Sequence, residues 1–171
     1  MKNARKVATA GMLTALCFVS LYLGSIFQTL DLSAAAIGSI IVLIAMIELD
    51  KKWALGVYIA ASVLSVLLLP YKSPAVVFAL FAGFYPILKA PLNKIKPIVF
   101  SYFARIVCFN LAFFALFYVL TKLLNIQEDY LSLEIVIFAL GNVAFLVYDF
   151  ALERIAATYL TRLKPMIFGK R

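Results

Sequence analysis

The chain contains no histidine and few charged residues. Of its 171 residues, 14% are Asp, Glu, Lys or Arg, and none is His. Zinc sites built on histidine, Ser-His and Cys-His nucleophile systems and histidine-ligated haem are therefore excluded. The sequence also lacks the G-x-x-x-x-G-K-[ST] phosphate loop and the G-x-S-x-G elbow. We expect a protein that is not an enzyme and that carries no metal and no cofactor.

Cysteine is nearly absent as well. The two cysteines, Cys17 and Cys108, both fall inside apolar runs, where a thiol behaves as a small hydrophobic group. The sequence therefore predicts neither a disulfide framework nor a cysteine metal site.

Long apolar runs make up most of the chain. Hydrophobic residues account for 65% of it and the mean hydropathy is +1.05, which lies far outside the range of soluble proteins. A helix needs roughly 20 residues to cross a bilayer, and six stretches qualify: residues 7–27, 32–49, 53–69, 74–89, 98–124 and 133–159. An open strand cannot satisfy its backbone in lipid. We therefore expect an all-α polytopic membrane protein with six transmembrane helices in a single domain, residues 1–171, and no soluble domain.

The basic residues predict the orientation. Most of them fall on one side of the six predicted spans: Lys2, Arg5, Lys6, Lys51, Lys52, Lys89, Lys94, Lys96, Arg162, Lys164, Lys170 and Arg171. The positive-inside rule then places both the N-terminus and the C-terminus in the cytoplasm. A basic rim facing anionic headgroups also explains the net charge of +8. We expect membrane lipid, and no nucleic acid, as the partner of this rim.

Three charged residues lie at a similar depth within the last two predicted spans: Arg105, Asp149 and Glu153. A buried arginine needs a partner in a medium of low dielectric constant, and antiparallel neighbours joined by a short loop usually pack side by side. We therefore expect Arg105 to pair with Asp149, Glu153 or both. A structural role is the favoured interpretation, and a transport or proton site is the alternative. Replacing Arg105 alone should then destabilise the fold more than removing the arginine and its acid together.

Polar and aromatic residues share one face of the sixth predicted span. Glu134, Phe138, Asn142, Phe145 and Asp149 recur at helical spacing. Asn142 between Phe138 and Phe145 would offer a hydrogen-bonding group between aromatic walls, which suits a small planar ligand. Ordinary aromatic packing, with Asn142 bonded to a neighbouring helix, is the alternative.

The fourth predicted span contains a proline near its inner part. Pro86 leaves the carbonyl four residues back without its donor, so it kinks or ends the helix. Either this is an ordinary kink, or the span is a broken helix that lines a cavity. In the second case Phe81 and Tyr85 join Asn142, Phe138, Phe145 and Tyr118 of the fifth span as candidate substrate-binding residues.

Small residues form a stripe on the first span. Ala4, Ala8, Gly11 and Ala15 recur at intervals of four, three and four residues, so they share one face of a helix. Such a stripe lets another helix approach closely. Packing within the protein's own bundle is the ordinary explanation.

The stripe lies within the segment RKVATAGMLTAL, residues 5–16, after a basic N-terminus and ahead of five more spans. This layout resembles the substrate-binding S components of energy-coupling factor (ECF) vitamin transporters of the prokaryotic plasma membrane. The resemblance implies that Ala4, Ala8, Gly11 and Ala15 dock onto a transmembrane T subunit, while two ATPase subunits supply the energy. It also implies a multi-pass protein that captures a small vitamin-like molecule from outside. Gly11 replaces an alanine of the usual stripe, and no substrate signature identifies the ligand.

Two other functions compete with this interpretation. Six-span proteins of this size include non-transporting scaffold subunits of the cell envelope, such as the rod-shape protein family. A lipid-modifying or proteolytic membrane enzyme is the third reading, and the absence of histidine and of a paired catalytic motif weighs against it.

Overall fold

A computed structural model describes residues 2–93, 96, 98–119 and 134–164 of the chain. The α-helices are α1 (Lys2–Ile26), α2 (Asp31–Glu48), α3 (Lys51–Leu68), α4 (Ser73–Val77), α5 (Tyr85–Leu92), α6 (Ile98–Tyr118) and α7 (Glu134–Thr158). A 3₁₀ turn, Gln28–Leu30, joins α1 to α2. A π-helical turn, Phe78–Ala82, follows α4, and a second one, Tyr159–Leu163, follows α7. No strand occurs in this part of the chain, which confirms the all-α fold class there.

Five helical segments are long and apolar enough to cross a membrane: Asn3–Ile26, Asp31–Glu48, Lys51–Leu68, Ser73–Leu92 and Val99–Leu116. They confirm that the protein is a helical membrane protein. The sixth crossing, which would be formed by α7, and the cytoplasmic placement of the termini stay predictions.

Local sequence explains where the middle helices end. Leu69 precedes Pro70 and adopts an extended conformation that ends α3, because proline disfavours the helical region for the residue before it. Pro74 and Pro86 both lie in the first turn of a helix, where a missing N–H costs nothing. The α-helix of the fourth span is thus interrupted ahead of Pro86, between α4 and α5, and the lining of a cavity by this span stays a prediction.

The fourth membrane segment is longer than expected. It runs to Leu92 and not to Lys89, so Lys89 lies within α5 and not in a basic loop. The prediction ended the span at its first charge, but the lysine side chain is buried at 7% exposure and does not stop the helix.

Contacts within the chain divide it into two units, residues 1–129 and 130–171. In the first unit, α1, α2, α3 and the segment α4–α5 pack together, and α6 packs against that segment. The described part of the second unit is α7 with the π-helical turn after it. The expectation of a single domain stays a prediction.

The core of the first unit is built on small side chains. On α3 the buried residues Ala54, Val57, Ala61 and Ser65 recur at helical spacing. On α2 Gly38 is buried, and a β-carbon there would lie 3.0 Å from the ring of Phe78. A β-carbon on Gly24 of α1 would collide with Ala34 of α2. The helix backbones therefore approach closely, as is typical of helices packed in membranes.

Hydrogen bonds fix the connections between these helices. The Ser25 hydroxyl donates to the Tyr71 carbonyl and accepts from the Tyr71 N–H, both at 2.9 Å. The ammonium group of Lys72 donates to the carbonyls of Val66 and Leu67, at 2.7 and 3.3 Å, and so satisfies the last turn of α3. These bonds tie the α3–α4 connection to the ends of both α1 and α3.

Candidate functional site

The small-residue stripe of α1 faces away from the core of the first unit. Ala4, Ala8, Gly11 and Ala15 are all exposed, and a β-carbon on Gly11 would meet no atom within 4 Å in the described structure. The opposite face of α1 carries Ala10, Leu13, Cys17 and Leu21, which pack into the core. The ordinary explanation, packing inside the protein's own bundle, therefore does not account for this stripe in the part of the chain described.

Arg105 is the centre of a polar network at the corner between α5 and α6. The guanidinium, 5% exposed, donates to the side-chain oxygen of Asn93 and to the Ser101 hydroxyl, the latter at 3.2 Å. Ser101 in turn donates to the carbonyl of Leu92 at 2.8 Å, and so satisfies a carbonyl at the end of α5. The guanidinium carbon also lies 4.8 Å from the centre of the Tyr102 ring.

Asn93 and Ser101 were not predicted as partners of Arg105, because only acidic residues were considered for that role. Asn93 was detectable in principle, since amide oxygens accept strong hydrogen bonds from guanidinium groups. The predicted pairing of Arg105 with Asp149 or Glu153 would join the two units, so it stays a prediction. Asp149 is buried at 4% exposure and Glu153 is half-buried.

Lys89 is a second buried cation in the same region of the chain. It lies four residues before Asn93 in α5, and its carbonyl accepts the Asn93 N–H at 2.9 Å. Residues four apart share one helix face. The face of α5 that supplies Asn93 to the network of Arg105 therefore also carries the ammonium group of Lys89.

The predicted substrate-binding residues of the first unit differ in their surroundings. Phe81 packs against Tyr85 and Phe109, with ring centres 5.1 and 5.3 Å apart. Tyr85 is almost fully buried at 2% exposure, whereas Tyr118 near the end of α6 is exposed. The structure thus brings Phe81 and Tyr85 together in one aromatic cluster.

The remaining predicted pocket residues lie on α7 in the second unit. Asn142 donates its side-chain N–H to the carbonyl of Phe138, one turn back, at 2.9 Å. Phe145 is buried and Phe138 is half-buried. A pocket formed with Phe81, Tyr85 and Tyr118 would join the two units, so it stays a prediction.

The described residues hold no group of three His, Cys, Asp or Glu side chains that could bind a metal ion. Cys17 is buried and Cys108 half-buried, and both are free thiols. Cys17 lies 3.8 Å from the carbonyl of Gly38 and packs in the helix core.

The fold and these contacts define a helical, membrane-embedded protein with an exposed small-residue face and a buried cationic network. No protein-family model, no curated protein and no solved structure matches the chain.

Proposed function

We propose that the protein is the substrate-capture subunit of an ECF-type transporter. In this role it binds a small vitamin-like molecule from outside the cell and delivers it with a T subunit and ATPase subunits. The protein would lie in the prokaryotic plasma membrane with six spans and both termini in the cytoplasm. The resemblance of residues 5–16 to the first helix of S components is the origin of this proposal.

The observation that carries it is the exposure of Ala4, Ala8, Gly11 and Ala15 on α1. A face of small residues lets a partner helix approach to backbone distance, whereas large side chains would hold it away. Larger residues, among them Val7 and Met12, flank this face and are themselves exposed. The stripe is therefore a shallow groove between larger apolar side chains, which fits a helix of another membrane subunit.

The test is co-purification with the T subunit and ATPases of the source cell, identified by mass spectrometry. Ala8→Trp and Gly11→Trp should each abolish recovery of the T subunit, because an indole would fill the groove. Val63→Trp is the matched control, since Val63 is an exposed residue on a different helix, α3. Recovery of the T subunit with both stripe variants would refute the docking role.

Substrate capture is tested separately by native mass spectrometry of the purified protein. A bound adduct of vitamin-like mass at 1:1 stoichiometry is the expected result. Asn142→Ala and Phe145→Ala should remove the adduct while leaving the T subunit bound. A protein that stays free of ligand throughout a screen of vitamins and their precursors would contradict substrate capture and favour the scaffold function.

A further inference from the structure

The fourth membrane segment contains a π-helical turn at Phe78–Ala82. The Gly83 N–H donates to the carbonyl of Phe78, five residues back, at 2.8 Å, where an α-helix would use Ala79. The carbonyl of Ala79 instead accepts the hydroxyl of Tyr58 from α3 at 2.6 Å. A side chain of another helix thus takes the place of the backbone donor that the π turn has diverted.

Close packing supports this arrangement. Phe78 is fully buried, and its ring lies 5.9 Å from that of Tyr58, centre to centre. A β-carbon on Gly83 would lie 2.6 Å from both rings. Only glycine at position 83 therefore allows the two aromatic rings to close over the π turn.

The sequence of α5 is compatible with two rotational positions. Tyr85, Lys89 and Asn93 recur every four residues, so they share one face. Tyr85 and Lys89 are buried, and Asn93, exposed at the end of α5, bonds to Arg105. Each of them directly follows a large apolar residue, and these three also recur every four residues: Phe84, Leu88 and Leu92. Two faces, one polar and one apolar, lie side by side on this helix.

A π turn contains one residue more than the α-helix it interrupts. If the Gly83 N–H returned to the Ala79 carbonyl, every residue after the turn would advance by one position, a rotation of about 100° at 3.6 residues per turn. Leu88 would then occupy the place that Lys89 holds, and Leu92 that of Asn93. Leu88 would thus be buried in place of Lys89, and the Asn93 contact to Arg105 would be lost.

We propose that the π turn Phe78–Ala82 is a two-state hinge, held in its π form by the hydroxyl of Tyr58. In the π form α5 buries Lys89 and holds Asn93 against Arg105. In the α form it buries Leu88 in place of Lys89 and releases Arg105 from Asn93. This hinge is a property of the fold and does not depend on the transport role.

Cysteine reactivity tests the rotation directly. The test uses two cysteine reporters, Leu88→Cys and Ala90→Cys, each in a Cys108→Ala background. Each reporter is labelled with an apolar maleimide in detergent. The labelling rates are compared between proteins with Tyr58 and proteins with Tyr58→Phe. Leu88 and Ala90 are both half-buried in the π form, Lys89 between them is buried, and Pro91 is exposed. Rotation by one residue gives Leu88 the buried position of Lys89 and gives Ala90 the exposed position of Pro91.

Tyr58→Phe should therefore slow labelling at position 88 and speed it at position 90. The population ratio of the α form to the π form should rise about fivefold, which corresponds to about 1 kcal/mol, the net contribution of one hydrogen bond. The ratio of the labelling rate at position 90 to that at position 88 should rise with it. Gly83→Ala should change the ratio in the same direction, because its β-carbon disfavours the π packing. An unchanged ratio would overturn the proposal. This holds also when both labelling rates rise in parallel, because such a rise reports general loosening and not rotation.

Deletion of Leu80 supplies the matched control. Leu80 is partly exposed and lies within the π turn, so its removal restores an α-helix without rotating α5. In this deletion variant the labelling ratio should equal that of the parent protein, and adding Tyr58→Phe should leave it unchanged. A ratio that still responds to Tyr58→Phe after the deletion would show that the hydroxyl acts by some route other than the π turn.

Discussion

Lys6 of α1 and Asp50 of the α2–α3 turn form an ion pair, with Nζ and Oδ2 2.7 Å apart. Lys6 also approaches the carbonyl of Leu49 at 3.4 Å. Asp50 itself has φ 150° and ψ 164°, a backbone conformation that residues other than glycine rarely adopt. The contact thus joins the start of α1 to a strained turn.

Asp50→Gly should be more stable than Asp50→Ala. Both variants lose the ion pair, which is largely exposed and contributes about 0–1 kcal/mol. Only glycine relieves the backbone strain, which costs about 1–3 kcal/mol. Thermal unfolding in detergent, followed by circular dichroism, measures the difference. Equal midpoints for the two variants would show that the turn is not strained.

Gly38→Ala and Gly56→Ala should change stability in opposite directions. A β-carbon on Gly38 would lie 3.0 Å from the Phe78 ring and 3.3 Å from the Cys17 sulfur, so alanine there overpacks the core. A β-carbon on Gly56 meets nothing within 4 Å in the described structure, and alanine there gains roughly 0.5–1 kcal/mol of helix stability. Unfolding midpoints of the two variants in one detergent provide the comparison. A midpoint for Gly38→Ala at or above the parent value would contradict the close approach of Phe78.

Ser25→Ala should destabilise the connection between α3 and α4. The substitution removes the hydroxyl that donates to the Tyr71 carbonyl and accepts from the Tyr71 N–H. Ser25 is only 3% exposed, so water does not readily replace it. Leaving such groups unpaired costs about 1–3 kcal/mol. Hydrogen exchange at the Tyr71 amide should accelerate. Ser20→Ala is the control, because Ser20 donates only to Cys17 of its own helix in the described contacts, and it should leave that amide unchanged.

Asn93→Ala should destabilise the α5–α6 corner by about 1.5–3 kcal/mol, the range for a hydrogen bond to a charged group. Asn93→Asp should retain the contact, because a carboxylate oxygen also accepts from a guanidinium. A double-mutant cycle with Arg105→Met, measured by unfolding in detergent, gives the coupling between the two side chains. Zero coupling would mean that the contact contributes nothing to stability.

Apolar run lengths were enough to predict the helices but not their inward faces. The expected spans at 32–49 and 53–69 differ from α2 and α3 by one or two residues, because charges and Pro70 mark their ends. Small-residue stripes occur on both α1 and α3 with similar spacing. The stripe of α3 is buried, whereas the stripe of α1 is exposed. Spacing alone cannot distinguish them, because in a bilayer both lipid and protein neighbours are apolar.

The polar contacts were harder to predict for a different reason. Tyr58 bonds to the Ala79 carbonyl only because a π turn diverts the backbone donor, and no residue type signals that turn in advance. Lys89 ends the predicted fourth span because lysine usually does so, yet in the structure the helix continues past it and its side chain is buried. Both features depend on tertiary packing that local sequence does not encode.

The network of Arg105 also bears on how the chain enters the membrane during synthesis. Asn93, Leu92 and Ser101 all lie within thirteen residues of the arginine, on the same helical hairpin. An arginine is expensive to insert into lipid, but this one has hydrogen-bonding partners that leave the ribosome just before it. The hairpin of α5 and α6 can therefore partition into the bilayer with its guanidinium already engaged, before α7 has been translated.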